Sequence, residues 1–162
     1  MKVRWKIRHR VKPGDIGCLI CLHGIVYAKE YGYDVTFEAY VAHGLAEFVQ
    51  LFNPNEDRIW LAETNGQIIG SIAIVGHSKE EAQLRWFLVH PNYRGLGIGK
   101  ELLQEALQFC KEHEYKIMFL WTASELSAAG HLYTCFGFRK TEEKTHKIWG
   151  KKVTEEKYHL YL

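Results

Sequence analysis

Gly95, Gly97 and Gly99 alternate with Leu96 and Ile98 between Arg94 and Lys100, and a helical pattern begins at once behind them. A helix that starts near Gly97 leaves its first N–H groups without internal partners and carries partial positive charge at that end. Side-chain-free positions let an anion approach this backbone closely. The chemistry this spacing suits is the holding of a phosphate or diphosphate; a plain flexible glycine turn fits the same residues. Two familiar phosphate loops do not match. The NTPase P-loop would need glycine where Arg94 stands and Ser or Thr where Glu101 stands, and the dinucleotide fingerprint G-x-G-x-x-G would need glycine at Lys100. A second candidate is the phenol of Tyr133 in "AAGHLYTCFGF" (128–138), which could act as a proton donor or simply pack against Phe136 and Phe138.

The elements that position these residues follow from hydrophobic period and punctuation. Val3, Trp5, Ile7 and Val11 mostly alternate with basic residues, the period of a strand with one solvated face. A helix is predicted from an N-cap at or just before Asp15 to about Lys29 or Glu30, with Gly32 and Asp34 as breakers. A second is predicted behind an N-cap at Thr36, with Phe37, Tyr40, Val41, Leu45, Phe48 and Phe52 on one face. "RIWLAE", "QIIGSIAIVGH" and "EAQLRWFLVH" read as an antiparallel meander. After the glycines, Ile98, Leu102, Leu103, Ala106, Leu107 and Cys110 form an apolar helical stripe. "KIMFLWT" reads as a buried strand parallel to the one before that helix, since strand–helix–strand requires a crossover. A short helix over about Glu125 to Phe136, stopped by Gly137, and two terminal strands complete the order β-α-α-β-β-β-α-β-α-β-β. The expectation is one α/β domain over residues 1–162 with a mixed sheet.

Arg94–Gly99 fits R/Q-x-x-G-x-G/A, and "AAGHLYTCFGF" fits A-x-x-L-Y-x-x-x-G-F, with a strand and a long helix between them. On these motifs the chain resembles the GNAT superfamily of N-acetyltransferases along its whole length. More narrowly, "YAKEYGYDVTFEA", "LWTASELSAAGHLY" and "EEKTHKIWGKKVTEEKYHLYL" resemble the acetyltransferase half of bacterial proteins that fuse it to a MarR-type regulator. The resemblance implies a largely antiparallel central sheet with helices on both faces and a splayed parallel strand pair. Pantetheine would lie in that gap against Phe87, Leu88 and Val89, and the diphosphate of acetyl-CoA on the N–H groups of Gly95, Leu96, Gly97, Ile98, Gly99 and Lys100, with Arg94 as ion partner or as a solvated turn residue. Tyr133 would protonate the leaving thiolate after direct attack by a substrate amine in a ternary complex. A non-catalytic acyl-CoA-binding or sensory module is the alternative. Leu126 departs from the Asn that many relatives carry there.

The residues leave the acceptor open. Tyr27, Glu30, Tyr31, Tyr33 and Asp34 form an acidic, aromatic cluster suited to an ammonium group, or equally a helix end with snorkelling tyrosines. Glu30, Glu63, His146 or a water chain could serve as general base, since Arg85 occupies the strand position where some relatives have a carboxylate. His146 and Trp149 are further pocket candidates. A small-molecule or peptide amine is therefore the expected partner.

Composition narrows the rest. Across 162 residues, 47% hydrophobic and 14% aromatic content fits a folded globule, and a net charge of +2 gives no support for a nucleic-acid binder. Histidine spacing suggests no metal site, and Cys18 and Cys21 read as small core residues of one helix rather than as a redox or zinc pair. No apolar run is long enough to span a bilayer, so a cytoplasmic protein is expected, the resemblance implies a bacterial enzyme, and the exposed terminal strands leave a homodimer open.

Overall fold

The computed structural model describes residues 2–162 and has the predicted element order. Met1, the first residue of the basic start, lies outside the described residues. Strand β1 (Lys6–Arg8) leads to helices α1 (Asp15–Tyr31) and α2 (Val35–Gln50), then to the meander β2 (Arg58–Thr64), β3 (Gln67–Gly76) and β4 (Glu81–Val89). A single 3-10 turn at Pro91–Tyr93 precedes α3 (Ile98–Glu112), followed by β5 (Ile117–Ala123), α4 (Ser127–Cys135), β6 (Arg139–Ile148) and β7 (Lys151–Tyr161). The strands form one sheet in the order β1-β2-β3-β4-β5-β7-β6. Every neighbouring pair is antiparallel except β4–β5.

Helices cover both faces, which is why the central strands read as nearly continuous apolar runs. On one face Leu102, Leu103, Ala106 and Phe109 of α3 pack on Trp60, Ala62, Ile72, Ile74, Leu84, Met118 and Leu120. On the other, Leu19 of α1 and Phe37, Val41, Leu45 and Phe48 of α2 pack on Ile59, Leu61, Ala73 and Trp86. Alternate residues of β2 thus enter opposite cores. Each fully buried Leu, Ile or Phe contributes about 1.5–3 kcal/mol.

Several local expectations are corrected. The N-cap of α2 is Asp34, whose carboxylate accepts from the Thr36 N–H at 2.9 Å, so the helix opens before the predicted Thr36 cap. The cap of α1 is Gly14, in the left-handed region and just before Asp15 as expected, and the Asp15 carboxylate turns to Arg8. Tyr40 and Phe52 leave the buried face of α2 and are half exposed, and Phe109 joins the core in the α3 stripe, where Leu107 is only half-buried. Cys18 and Cys21 are exposed on the outer side of α1 and are not core residues. The first strand keeps only a short ladder with β2, because Val3 and Val11 lie exposed while Trp5 and Ile7 reach the core. No helix among the described residues is long and apolar enough to cross a membrane.

Arg8 joins three elements. Its guanidinium donates to Asp15 of α1 at 2.8 and 3.0 Å and to Glu63 of β2 at 2.9 Å, and Lys6 adds a 3.0 Å pair to Glu63. Hydrogen bonds from Arg8 hold both carboxylates below the usual carboxylate range. Carboxylates whose folded pKa is depressed contribute stability that is present above their unfolded pKa and is lost as pH falls through the folded value. Arg8→Leu, which leaves two largely buried carboxylates without this partner, is expected to cost about 3 kcal/mol in urea unfolding at neutral pH. The difference from the parent should shrink as pH is lowered below about 4, and a pH-independent difference would contradict the assignment.

Candidate functional site

The parallel pair β4–β5 is ladder-bonded only at Glu81–Ile117, Ala82–Met118 and Gln83–Phe119. Beyond Gln83 the two strands diverge. β4 turns at Trp86, a non-glycine residue in the left-handed region (φ 47°), where the register with β3 slips. The buried Ser71 hydroxyl donates to the Trp86 carbonyl at 2.7 Å, which offsets the broken ladder. The splay that the resemblance implied is therefore present, and its bulge had no signature in the sequence.

On one side of the splay lies a cleft of about 770 Å³. Its walls include Phe87, Leu88 and Val89 of β4, the turn residues Arg94, Gly95, Gly97, Ile98, Gly99 and Lys100, and Leu132 of α4. Gly95 (φ 77°) and Gly97 (φ 94°) occupy the left-handed region, and Gly97 caps α3 with no side-chain hydrogen bond. The turn thus presents backbone at the positive end of a long helix. Leu96 points outward and is exposed.

Arg94 does not stand alone there. Its Nη1 and Nη2 donate to Glu30 at 2.8 and 2.6 Å, and its Nε to the Val89 carbonyl at 3.1 Å. The Glu30 pair raises the guanidinium pKa. Glu30 and Tyr31 border this cleft, away from the second cavity described next. The acidic cluster is accordingly divided: Glu30 binds Arg94, and Asp34 caps α2.

A second cavity of about 350 Å³ opens on the other side. It shares Tyr27, Phe87, Leu126 and Ala129 with the cleft, so the two spaces meet at the splay. Its walls come from α1, α2, β4, β5, α4 and the β6–β7 hairpin. The hairpin tip, Trp149–Gly150, has both residues in the left-handed region. The Asp34 N–H donates to the Trp149 carbonyl at 3.0 Å, and the Trp149 ring lies 5.0 Å from both Tyr33 and Phe37. Lys151 adds bonds to the Tyr31 carbonyl and to Glu125 at 2.8 and 2.9 Å. The hairpin is thereby fastened over the α1–α2 junction.

Tyr133 is buried, with its ring 6.0 Å from Phe87, 5.7 Å from Phe138 and 5.9 Å from Tyr158, and it borders the second cavity. Burial pushes its phenol well above the ordinary range. His146 borders the same cavity, with Nε2 2.8 Å from Glu155. A carboxylate only accepts, so Nε2 carries the hydrogen of this bond. Glu63 is held by Arg8 and Lys6 and lines neither space.

Among the cavity residues that sequence reasoning assigned no role are His23 and Arg85. His23, a lone histidine in an apolar helix, is buried, and its Nδ1 bonds the Leu19 carbonyl at 2.7 Å. Burial lowers its pKa to about 4, so the ring is neutral near pH 7, and Nε2 is a buried acceptor with no partner among the described residues. Tyr27 stacks on it with centroids 6.0 Å apart. Arg85 also lines the cavity.

The model of the acetyltransferase (GNAT) family matches residues 26–138. An uncharacterized N-acetyltransferase from Methanocaldococcus jannaschii is 28% identical over 72% of this chain and 55% of its own length, so the chain spans about half of that relative. Among solved structures, an acetyltransferase from Streptococcus agalactiae 2603 superposes with a TM-score of 0.81 at 20% identity, over 98% of both chains. The yncA protein of Salmonella typhimurium, solved with its cofactor acetyl-CoA, gives 0.75 at 16% identity over 98% of this chain and 94% of its own. Likeness at this identity shows a shared fold.

Replacing Gly97 by Ala forces a Cβ into the left-handed region and is expected to cost about 1–2 kcal/mol in urea unfolding. Gly99→Ala, at a position outside that region where the added Cβ would sit 3.5 Å from Phe87, should cost clearly less; equal losses would contradict the cap assignment.

Proposed function

The chain belongs to the acetyltransferase (GNAT) family, and from that premise we propose that it transfers an acetyl group from acetyl-CoA to an amine by direct attack in a ternary complex. The observation that carries this reading is the meeting of two spaces at the splayed strands, one edged by the glycine turn and one closed by aromatic residues, with Tyr133 on the second and its ring 6.0 Å from Phe87, which lines both. The cleft suits the cofactor: backbone beyond Gln83 of β4 has no ladder partner on the β5 side and is free to pair with pantetheine amides. The turn from Gly95 to Lys100 supplies amides for the diphosphate.

The amine nitrogen attacks the thioester carbonyl, the carbon–sulfur bond breaks, and the electron pair leaves on sulfur. Tyr133 delivers its proton to that thiolate. Because burial keeps the phenol protonated well above its ordinary range, it remains an acid at alkaline assay pH. The nitrogen sheds a proton to a base. Of the side chains left open by sequence, only His146 borders the acceptor cavity, and Glu155 orients its ring through Nε2. The spelling of 27–39, 120–133 and 142–162 supports, within the family, kinship with the acetyltransferase half of MarR-type regulator fusions.

An amine panel assayed with acetyl-CoA for free-thiol release tests the reading. Tyr133→Phe is expected to lower kcat about 100-fold with a smaller change in the KM for acetyl-CoA. The alkaline limb of the parent's pH profile should not carry a Tyr133 ionisation. Tight CoA uptake with no thiol release across the panel, or an unchanged kcat in Tyr133→Phe, would overturn it.

A further inference from the structure

We propose that the acceptor amine also bears a carboxylate, that Arg85 holds it, and that the substrate class is the free aromatic amino acid. This rests on the acetyl-transfer reading and names what the second cavity takes.

Arg85 stands on β4 in the cavity wall. Its guanidinium lies 4.2 Å over the Trp86 ring and donates to the Tyr40 hydroxyl at 3.4 Å, and it has no carboxylate partner among the described residues. Arg8 and Arg94, by contrast, are both paired with carboxylates. The other charges in the wall are matched among themselves, with Glu155 2.8 Å from His146 and 3.9 Å from Lys144. The arginine is also given room. A Cβ at Gly44 of α2 would stand 3.0 Å from Nη2 of Arg85 and 2.9 Å from the Trp86 ring, so a side chain there would displace the guanidinium. A planar, permanently charged fork with free N–H groups beside apolar rings matches a carboxylate.

The remaining wall fits the rest of such a molecule. Tyr27, Tyr33, Phe37, Trp121 and Trp149 surround a space of about 350 Å³, enough for one aromatic amino acid. The unpartnered Nε2 of His23 offers the lone pair that an ammonium N–H would satisfy. Glu30, the acidic group that would have favoured a purely cationic acceptor, is engaged with Arg94 outside this cavity.

The test compares phenylalanine, phenylalaninamide and phenethylamine as ligands of the CoA-saturated chain by calorimetry and, separately, as acceptors by thiol release. Phenylalanine is expected to bind about 10- to 100-fold more tightly than the two ligands lacking the carboxylate. That ratio should collapse toward one in Arg85→Gln and survive in part in Arg85→Lys. Equal affinities, no binding of any of the three, or a full preference in Arg85→Gln overturns the proposal. Binding and transfer are read independently, so a phenylalanine preference without thiol release would sustain the carboxylate site and sink the acetyl-transfer reading.

Discussion

The structure turns on one broken ladder. β4 and β5 share three paired positions, then part, because β4 bends at Trp86 toward β3 while β5 stays paired with β7 from Ile117 to Ala123. A gap in the middle of a sheet leaves backbone groups without partners, which costs free energy unless something else bonds them. Holding Trp86 in the left-handed region adds to that cost. Burial on both sheet faces and the Ser71 bond to the Trp86 carbonyl support this local strain. Both spaces of the candidate site exist because of it.

The remaining elements act as walls. α3 brings its N-terminal end and the glycine turn to the cleft, and α4 bridges cleft and cavity so that Leu132 meets one and Tyr133 the other. The β6–β7 hairpin reaches the α1–α2 junction only because Gly150 has no side chain, since a Cβ there would lie 2.6 Å from the Asp34 carboxylate. The same Asp34 caps α2 and donates its N–H to Trp149. One residue thus couples the start of a helix to the closure of the second cavity.

Features dictated by period and punctuation were legible in the sequence: the element order, the parallel crossover through α3, and the glycine turn opening that helix. What escaped was decided by contacts between distant segments. Both Asp34 and Thr36 are good capping types, and only the returning hairpin favours Asp34. The bulge at Trp86 carries no glycine to announce it. Cys18 and Cys21 lie in an apolar helix whose composition is nearly the same on all sides, so the sequence could not say which side was out. His23 and Arg85 looked like isolated polar residues until the fold set them in one wall.

Arg94 has a partner in the structure that its place in the motif did not announce. Sequence reasoning set it against the diphosphate, and the structure ties it to Glu30 at the end of α1. A guanidinium has five N–H groups, and the bonds to Glu30 and Val89 use three. The pair therefore fixes the plane of the guanidinium and leaves N–H groups facing outward. The neighbouring carboxylate also offsets much of its charge, so in a phosphate-binding role the side chain would steer more than attract. The stronger attraction would then come from the amides of the turn, which stand at the positive end of α3. On the proposed reading the weight of cofactor binding falls on the backbone between Gly95 and Lys100, where Gly95, Gly97 and Gly99 bring no side chain.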